Sequence, residues 1–476
     1  MVREALKFYI GGEWVFPETP KTMNVINPAT ESVMGVISIG DKADVDKAVK
    51  AARAAFDGWN TTPVADRIAM MEKLLALYKT RWDEMATVIT EEMGSPISKS
   101  KSSQVGAGFG QMHSALEAAK TFVFEDHQSP RIIQREGIGV CGLITPWNWP
   151  INQVGAKVAP ALLAGNTVVL KPSEIAPFDA VMLAEMIDEV GFPAGVFNLV
   201  NGDGPGVGEA MSSHPDIDMM SFTGSTRAGT AIAAAAAATV KRVAQELGGK
   251  SANIILDDDD FEKNVARDAF GVMMNTGQTC VAGTRMLVPQ HRMDEAGEIA
   301  AKAVAAIQVG DPKKVDTQMG PQVSEVQWSK VQDLIQQGID EGAKLVAGGT
   351  GKPEGLNMGY YSRPTVFTHV NNDMIIAREE IFGPVLSILG YETTDEAVDI
   401  ANDSPYGLAA YVSGTDQDAA INIARRLKAG QITVNDPDWD MGAPFGGYKQ
   451  SGNGREGSHY GLEDFLETKA IMAPGL

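Results

Sequence analysis

Apolar residues follow two different spacings along the chain, and each spacing predicts a different element. Apolar residues three or four positions apart, such as Val45, Val49 and Phe56, predict an amphipathic helix that ends before Gly58. The same spacing recurs at 66–93, 177–190 and 416–428. Short uninterrupted apolar runs predict strands that are covered on both faces. Such runs lie at 139–145, 166–170, 196–200, 219–222, 252–256, 285–288, 385–389 and 431–435.

The order of these elements indicates the fold class. Helical segments and apolar runs alternate, which predicts an α/β fold with parallel strands and crossover helices. A chain of 476 residues has room for about three domains of about 150 residues each, and two stacked α/β units accommodate the predicted strands. The segment 121–136 is richer in polar residues and 461–474 is another extended stretch. We expect both to form strands that connect subunits.

The composition narrows the possible partners. With 44% hydrophobic and 21% charged residues, the chain has the composition of a soluble globular protein and not that of a disordered one. Acidic residues outnumber basic ones by 61 to 40, and the resulting charge of −21 repels phosphate backbones and anionic lipid headgroups. The most apolar helical stretch, 230–240, is shorter than the roughly 18 residues that a membrane span needs. We therefore expect neither nucleic acid nor a membrane as partner.

Cysteine content and the first residues predict the compartment. Cys141 and Cys280 are the two cysteines of the chain, too few for a disulfide framework, which is typical of a reducing compartment. Residues 1–14 lack the apolar core and the small-residue cleavage site of a secretory signal. We therefore expect a cytoplasmic protein. Cys141 lies within an apolar run and is interpreted as an inert core residue.

Two predicted strand ends carry residues that suit a nucleotide. At 221–229 an apolar run meets small residues and then an alanine-rich helix, so Gly224 and Ser225 can bring a helix N-terminus close to a pyrophosphate. Lys171 and Glu174 follow another strand and suit ribose hydroxyls. On these residues alone, an ordinary strand-to-helix turn at 221–229 remains the alternative.

Five residues have side chains that suit group-transfer chemistry. Cys280 is flanked by small polar residues and can serve as a nucleophile, although a lone cysteine is more often an inert core residue. Glu246 can deprotonate water if its pKa is raised; alternatively it is a solvated helix residue. Asn148, near two prolines, offers an amide to a developing oxyanion or has a capping or turn role. Glu380 and Phe382 can hold hydroxyls and a flat ring, or are a surface carboxylate and a core phenylalanine.

Seven motifs, taken together in one order and spacing, resemble the NAD(P)-dependent aldehyde dehydrogenase superfamily. They are PWNWP at 146–150, KPSE at 171–174, FTGS at 222–225, ELGGKS at 246–251, GQTC at 277–280, EEIFGP at 379–384 and PFGGYKQSGNGRE at 444–456. The resemblance spans about residues 8–474. It implies an α/β fold with a Rossmann-like cofactor domain, an α/β catalytic domain and a small β flap, and a homodimer or homotetramer. The implied segments are an NAD-binding domain at 1–120 and 137–248, a catalytic domain at 249–455 and oligomerisation segments at 121–136 and 461–476.

The resemblance also implies a reaction and the residues that perform it. Cys280 would attack an aldehyde as a thiolate, and the Asn148 amide together with the Cys280 backbone N–H would stabilise the oxyanion of the thiohemiacetal. Hydride would then leave for a nicotinamide. Glu246 would activate the water that hydrolyses the thioester to a carboxylic acid, and Lys157 and Glu456 match residues that support this base in relatives.

The cofactor implied by the resemblance is NAD, and no metal ion is implied. Glu380 and Phe382 match contacts on the nicotinamide side of the cofactor, and Gly224 and Ser225 match the turn that binds the pyrophosphate. Lys171 and Glu174 match the pair of residues that binds the ribose. A carboxylate at Glu174 should repel a 2′-phosphate, so we predict a preference for NAD over NADP. The expected cofactor contacts are Thr145, Trp147, Lys171, Ser173, Glu174, Gly224, Ser225, Glu380 and Phe382.

The expected substrate tunnel departs from the pattern of the relatives. They often carry Met and a bulky aromatic residue where this chain has Gln153 and Ala156, so we expect a wider and more polar entrance. The acidic loop 436–440 either favours cationic aldehydes, such as aminoaldehydes or betaine aldehyde, or is simply solvated. The expected tunnel residues are Gln153, Ala156, Thr279, Val281, Trp439 and Phe445.

Three alternative functions each conflict with a feature of the sequence. A thiol hydrolase or acyltransferase using Cys280 needs a histidine to orient the thiol, and no histidine lies in the motifs. A coenzyme-A-acylating relative usually lacks the carboxylate found at Glu246. A non-catalytic role conflicts with the joint presence of Cys280, Glu246 and Asn148. The substrate is expected to be a small-molecule aldehyde, whose identity no motif specifies.

Overall fold

The computed structural model describes residues 2–473 as two large β-sheets and two small ones, with helices packed around them. Met1 and residues 474–476, which belong to the predicted segments 1–120 and 461–476, lie outside the described residues. The strands are β1 (Arg3–Ala5), β2 (Phe8–Ile10), β3 (Glu13–Val15), β4 (Thr22–Asn27), β5 (Ser32–Ser38), β6 (Glu125–Gln128), β7 (Arg131–Gly137), β8 (Val140–Ile144), β9 (Thr167–Lys171), β10 (Phe197–Leu199), β11 (Met219–Thr223), β12 (Arg242–Glu246), β13 (Ala252–Ile255), β14 (Arg285–Pro289), β15 (Lys344–Ala347), β16 (Thr365–Thr368), β17 (Val385–Tyr391), β18 (Ala409–Ser413), β19 (Gln431–Val434), β20 (Gly452–Asn453) and β21 (Leu466–Met472). The α-helices are α1 (Lys42–Asn60), α2 (Val64–Thr80), α3 (Trp82–Met93), α4 (Ile97–Lys99), α5 (Val105–Thr121), α6 (Pro150–Leu163), α7 (Phe178–Val190), α8 (Glu209–Ser213), α9 (Thr226–Ala236), α10 (Phe261–Met273), α11 (Met293–Ala305), α12 (Glu325–Asp340), α13 (Ile375–Arg378), α14 (Thr394–Asn402), α15 (Gln417–Ala424) and α16 (Ser458–Asp464).

The first large sheet has eight strands in the order β20-β12-β11-β8-β9-β10-β2-β3. Its five central strands, from β12 to β10, are parallel. Strands β20 and β2 run antiparallel to them, and β3 pairs antiparallel with β2. From β8 the chain continues to β9 and β10 on one side and then crosses to β11 and β12 on the other. This reversal places a crevice at the carboxyl ends of β8 and β11, the position where open α/β sheets bind ligands.

The second large sheet has seven strands in the order β15-β16-β17-β14-β13-β18-β19. All of its pairs are parallel except that between β15 and β16. Both large sheets are covered on both faces, as shown by β8, where Cys141 and Leu143 join one apolar cluster and Val140 and Ile144 another. The α/β prediction and each of the eight predicted strands are therefore confirmed, and Cys141 is a fully buried core residue.

The polar segment 121–136 and the C-terminal stretch form a separate antiparallel sheet. Strand β7 lies between β6 and β21 in this three-stranded sheet. Only the first residue of β21 is buried. The prediction of strands here is confirmed, except that residues 461–464 belong to α16. Their role in connecting subunits, like the division into domains, stays a prediction.

Two helix predictions were too long. The segment 66–93 forms two helices, because the backbone at Arg81, with φ of −103° and ψ of 15°, leaves the helical region between α2 and α3. The segment 416–428 forms a helix only as far as Ala424, after which Arg426 N–H bonds the carbonyl of Ile423 in a tighter turn. Among residues 2–473, no helix has both the length and the apolar character needed to cross a membrane.

Candidate active site

Cys280 follows a turn whose backbone conformation is uncommon. The turn lies between α10 and β14, and Asn275, Thr276 and Gly277 have positive φ angles of 53°, 58° and 70°. Residues other than glycine rarely adopt this conformation, and a β-branched residue such as threonine does so only when its surroundings enforce it. The Thr276 hydroxyl donates to the carbonyl of Gly320 at 3.1 Å, which is one of the contacts that hold the turn.

Three buried amide side chains hold the rest of this loop. Asn275 Nδ2 donates to the carbonyls of Asn148 (2.9 Å) and Gln278 (3.1 Å). Gln104 Nε2 donates to the Asn148 carbonyl and to Asn275 Oδ1, both at 3.2 Å. Gln278 Oε1 accepts from the N–H of Val323 at 3.0 Å. Sequence reasoning did not identify Gln104 and Asn275 as positioning residues. Neither residue belongs to one of the seven motifs, so no sequence signal connected either side chain with the Cys280 loop.

Cys280 lies where two cavities meet. The smaller cavity has a volume of about 210 Å³, and the larger one about 500 Å³. Predicted residues that line the smaller cavity beside Cys280 are Trp147, Asn148, Gly224, Ser225, Glu380 and Phe382. Predicted residues that line the larger cavity beside Cys280 are Gln153, Thr279, Val281, Trp439, Phe445 and Glu456. A thiol at this junction can meet two ligands that arrive from different sides.

The Asn148 side chain is placed beside the Cys280 loop. Asn148 follows β8 in the PWNWP segment, is 3% exposed, and donates from Nδ2 to the Gln278 carbonyl at 3.1 Å. Asn148 and Cys280 both line the smaller cavity. A side-chain amide has two N–H donors, so one remains for an oxygen atom that forms next to the sulfur.

Glu246 is a buried strand residue, and its alternative interpretation as a solvated helix residue is wrong. It ends β12, is 4% exposed, and its Oε2 has no hydrogen-bond partner. Burial raises the pKa of Glu246 well above its usual value; the charge of Glu456 adds to this effect, whereas Lys157 and Arg455 oppose it. A carboxylate with a raised pKa is a stronger base, which suits the deprotonation of water.

Lys157 and Glu456 form a buried ion pair. Lys157 lies on α6 and donates to Glu456 Oε1, and it also donates to the Ser221 hydroxyl at 3.1 Å. Glu456 is held in turn by its backbone, because it exchanges two hydrogen bonds, of 2.8 and 2.7 Å, with the backbone of Phe445. The pair therefore connects α6 to the glycine-rich segment near the C-terminus.

The Cys280 thiol is electrostatically disfavoured as a thiolate in this state of the protein. Burial raises its pKa above the usual value, and the negative charges of Glu380 and Glu246 raise it further. The thiol is therefore protonated at neutral pH. Its activation requires a base, or a positive charge that binds next to the sulfur.

The smaller cavity lies at the crevice between β8 and β11. Gly224 and Ser225 follow β11 at the start of α9, where the Ser225 hydroxyl accepts from the Ala228 N–H at 3.3 Å. The rings of Trp147 and Phe382 meet edge to face, with centroids 5.3 Å apart. These residues combine a helix N-terminus, which attracts anions, with flat apolar surface.

Glu380 is fixed at the opposite wall of this cavity. Its Oε1 accepts from the Gly249 N–H at 2.8 Å. The neighbouring Gly248 leaves no space for a side chain, because a Cβ atom there would come within 2.6 Å of Glu380 Oε2. Neither Glu380 nor Phe382 is fully exposed or fully buried, which argues against the alternative of a surface carboxylate and a core phenylalanine.

The other predicted cofactor residues lie near the smaller cavity but do not line it. Lys171 ends β9, which pairs with β8, and its Nζ donates to Glu174 Oε2 at 3.1 Å. Ser173 lies between them in the chain, and Thr145 is buried directly after β8. Within residues 2–473, no group of three or more His, Cys, Asp or Glu side chains is arranged to hold a metal ion.

Ala156 is the one predicted tunnel residue that does not line the larger cavity. It is 4% exposed and lies among the buried residues of α6, three positions after Gln153. Sequence reasoning missed several residues that do line it, which come from the π-helical turn Ser100–Gln104, α5, the start of α6 and the loop after β19. They were missed because sequence spacing does not show which side chains of these segments face the cavity. These residues are Ser102, Ser103, Gly106, Ala107, Gln111, Trp149, Asn152 and Met441.

The comparisons with known proteins agree with this geometry. The sequence matches the profile of the "Aldehyde dehydrogenase family" over residues 14–471. The chain belongs to the aldehyde dehydrogenase family. A relative named 3-succinoylsemialdehyde-pyridine dehydrogenase, from a Pseudomonas species, is 54% identical over 472 residues, which are 99% of each chain. Aldehyde dehydrogenases are oxidoreductases that act on the aldehyde group.

Two solved aldehyde dehydrogenases show the same fold. A mutant of aldehyde dehydrogenase C from Pseudomonas syringae, in complex with NAD+ and octanal, has a TM-score of 0.98 and 51% identity, covering 99% of this chain and 98% of that one. An aldehyde dehydrogenase from Mycobacterium tuberculosis, complexed with NAD+, has a TM-score of 0.97 and 42% identity, covering 100% and 99%. The family and the fold class predicted from the motifs are therefore confirmed.

Proposed function

We propose that this aldehyde dehydrogenase oxidises an aldehyde to a carboxylic acid with NAD, through covalent intermediates on Cys280. The observation that carries the proposal is the position of Cys280 at the junction of two cavities. The smaller cavity suits a dinucleotide and the larger one a substrate. A carbon bound to the sulfur would therefore lie between the two ligands, as a hydride transfer requires.

Residues around the smaller cavity fit NAD. The start of α9 at Gly224 and Ser225 suits a pyrophosphate, and Trp147 and Phe382 offer flat surface to a ring. The buried Thr223 hydroxyl lines the same cavity without a hydrogen-bond partner, as expected for a group that meets a ligand. When bound, NAD supplies the acceptor for the hydride. The presence of NAD+ in the complexes from Pseudomonas syringae and Mycobacterium tuberculosis supports this assignment.

Preference for NAD over NADP rests on Glu174. The Lys171–Glu174 pair lies at the carboxyl end of β9, next to the crevice. A carboxylate at this position accepts hydrogen bonds from ribose hydroxyls and repels a 2′-phosphate.

The covalent steps follow from the side chains around Cys280. The Cys280 thiol loses its proton to water, and the thiolate sulfur forms a bond to the aldehyde carbon. The π bond of the carbonyl group breaks at the same time, and its oxygen takes the negative charge. The free Asn148 N–H and the Cys280 backbone N–H donate to this oxygen, and one such donor lowers the barrier by about 3 kcal/mol. After hydride leaves the carbon, a thioester remains on the sulfur.

Glu246 deprotonates the water that hydrolyses this thioester. Its raised pKa makes it a stronger base than an ordinary carboxylate. Lys157 keeps Glu456 in place, and the charge of Glu456 contributes to the raised pKa. A buried base whose charge acts on Cys280 also favours hydrolysis over transfer of the acyl group to coenzyme A. Neither cavity is lined by a histidine among the described residues, which argues against a thiol hydrolase.

Product analysis tests this function. The protein is mixed with NAD and with aliphatic, aromatic and amino aldehydes, and NADH formation is followed at its absorption band. We expect NADH and the carboxylic acid in equal amounts, with no acyl-CoA when coenzyme A is added. Comparable kcat/KM values with NAD and NADP would contradict the cofactor preference, and absence of NADH with every aldehyde would contradict the function.

The exposed strand β21 supports self-association of the protein, and the free cysteines support a location in the cell. Strand β21 pairs with β7 on one side, and six of its seven residues are exposed, as expected of a strand that contacts a second copy of the chain. A homodimer or homotetramer is therefore the proposed state, which light scattering of the purified protein measures. The two free cysteines are consistent with the cytoplasm as the proposed location.

A further inference from the structure

A buried amide without a partner lines the larger cavity. Gln153 is 5% exposed, contributes to the cavity wall, and its Oε1 has no hydrogen-bond partner. A buried hydrogen-bond acceptor left unpaired is unfavourable. A bound ligand that donates an O–H or N–H to this oxygen would remove that cost.

The position of Gln153 on α6 indicates which part of a ligand it meets. The Gln153 N–H bonds the carbonyl of Trp149 at 2.9 Å, so the two residues lie one helical turn, roughly 6 Å, apart on the same face. The Trp149 indole N–H donates to the hydroxyl of Thr279, at 3.0 Å, and Thr279 precedes Cys280. When the aldehyde carbon of a substrate is bound at Cys280, Gln153 therefore lies beside the substrate atoms that follow the aldehyde group.

Aromatic side chains form the remainder of the wall. Trp149 is held by its bond to Thr279, and Phe445 is held by its backbone bonds to Glu456. Trp439 lines the cavity and is 54% exposed, an unusual exposure for so large an apolar surface. These rings offer stacking surface to a flat group near the opening of the cavity.

The cavity offers no free charge to a charged tail. Among the described residues that line it, Glu456 is the only charged one, and Lys157 neutralises it. None of the three aspartates of the acidic loop 436–440 lines the cavity. Asp436 lies 3.8 Å from Arg267, and Asp440 accepts from the Gly442 N–H within its own loop. A cationic or anionic tail would lose hydration here without gaining an ion pair.

We propose that Gln153 determines specificity by accepting a hydrogen bond, at Oε1, from an uncharged hydroxyl or N–H group of the substrate. The substrates are uncharged aldehydes with an aromatic ring beyond that group. The proposal rests on the proposed function, because it requires the aldehyde carbon at Cys280. A cavity of about 500 Å³ accommodates such a molecule, and a short alkanal would fill only part of it.

A pair of substrates that differ in one atom tests the proposal. Both are hexanals with a phenyl ring on the sixth carbon, and one also carries a hydroxyl group on that carbon. Steady-state kinetics with NAD should give a kcat/KM at least about tenfold higher for the hydroxy compound, because its O–H donates to the buried Gln153 Oε1. In Gln153→Met, which keeps the volume and removes the hydrogen bond, this ratio should fall to about one.

Gln111→Met is the matched control. Gln111 lines the same cavity but is half-buried, so water can hydrate its amide. The substrate ratio should therefore change by less than about threefold in this variant. Octanal and betaine aldehyde serve as an apolar and a cationic competitor, and the wild-type protein should prefer the hydroxy compound to both.

Several outcomes would overturn the proposal. One is a wild-type ratio near one, which is informative even if the variant does not fold. Another is an unchanged ratio in a folded Gln153→Met protein, and a third is a preference for octanal or betaine aldehyde. Each of these leaves NAD-dependent aldehyde oxidation intact, whereas absence of NADH with all four aldehydes would contradict the proposed function itself.

Discussion

The two cavities that meet at Cys280 are built in different ways. The smaller one is lined by segments that follow strands of the first sheet and by the EEIFGP motif, and all of its predicted residues occur in motifs. The larger one combines α5, the start of α6, the Cys280 loop and the segment 439–445. The part of the site that suits a common cofactor is thus placed by the sheet, whereas the part that suits a particular substrate is placed by loops and helix ends.

Electrostatics differ between the two sides as well. Glu380 in the smaller cavity is held by a backbone N–H, and its charge contributes to the raised pKa of Cys280. In the larger cavity Glu456 is neutralised by Lys157, and Gln153 provides an uncharged polar group. The charge of Glu380 in the smaller cavity therefore affects the reactivity of Cys280, whereas the polar group of Gln153 in the larger cavity is available to recognise a substrate.

Replacement of the shared residue should have the largest effect. Cys280→Ser exchanges the sulfur for a much weaker nucleophile, so kcat should fall by at least about a thousandfold for every aldehyde. NAD binding, measured by calorimetry, should change by less than about threefold. Residual activity above a tenth of the wild-type value would show that the Cys280 sulfur is not the nucleophile of the reaction.

Removal of the base should separate the two halves of the reaction. Glu246→Gln should lower the steady-state rate by about a hundredfold or more, because water attack loses its general base. The first turnover should still release one NADH per active site, and mass spectrometry should detect the acyl group on Cys280.

The pH profile gives a second measure of Glu246. A base must be deprotonated, so the wild-type kcat should rise as the pH increases through the raised pKa of Glu246. This rise should be absent in Glu246→Gln. If both proteins have the same pH profile, the rise in kcat with pH is caused by the titration of a group other than Glu246.

Cofactor preference should respond to one carboxylate. Glu174→Ser removes the charge that repels a 2′-phosphate, so the ratio of kcat/KM for NADP over NAD should rise by about tenfold, or about 1.4 kcal/mol. Glu189→Ser, which removes an exposed charge from α7, is the matched control and should leave the ratio unchanged. Equal effects of the two variants would indicate long-range charge rather than a ribose contact.

The smallest effect is expected at the opening of the larger cavity. Trp439→Ala removes a half-exposed ring, so KM for aromatic aldehydes should rise by about three- to tenfold, in line with about 1 kcal/mol for one aromatic contact. The value for acetaldehyde, which is too short to reach the ring, should stay constant. An equal increase for both aldehydes would point to a disturbed loop instead of a lost contact.

Several site residues could be recognised in the sequence because their neighbours carry a signal. Gly224 and Ser225 stand at the boundary between an apolar run and an alanine-rich helix, and Cys280 stands among small polar residues. The structure places all three on the smaller cavity. Glu246 was found only through its motif, because its residue type by itself suggested a solvated position.

Other features could not be predicted because they depend on contacts between distant segments. Lys157 and Glu456 are 299 positions apart, and Gln104 and Asn275 are 171 apart. Ala156 illustrates the reverse case, since it lies three positions after Gln153 on α6 but does not line the larger cavity. Helical spacing shows which residues share a face, and it does not show what that face contacts.

Local patterns by themselves determined the order of the strands along the chain, the α/β class and the motifs that identify the family, because short-range spacing and backbone preferences encode these features. The tertiary structure decided which of these residues share a cavity, that Glu246 is buried and that Gln153 lacks a partner. The reason is physical: burial, pKa and unpaired hydrogen-bonding groups are set by the atoms that surround a side chain, and those atoms come from segments far away in the sequence.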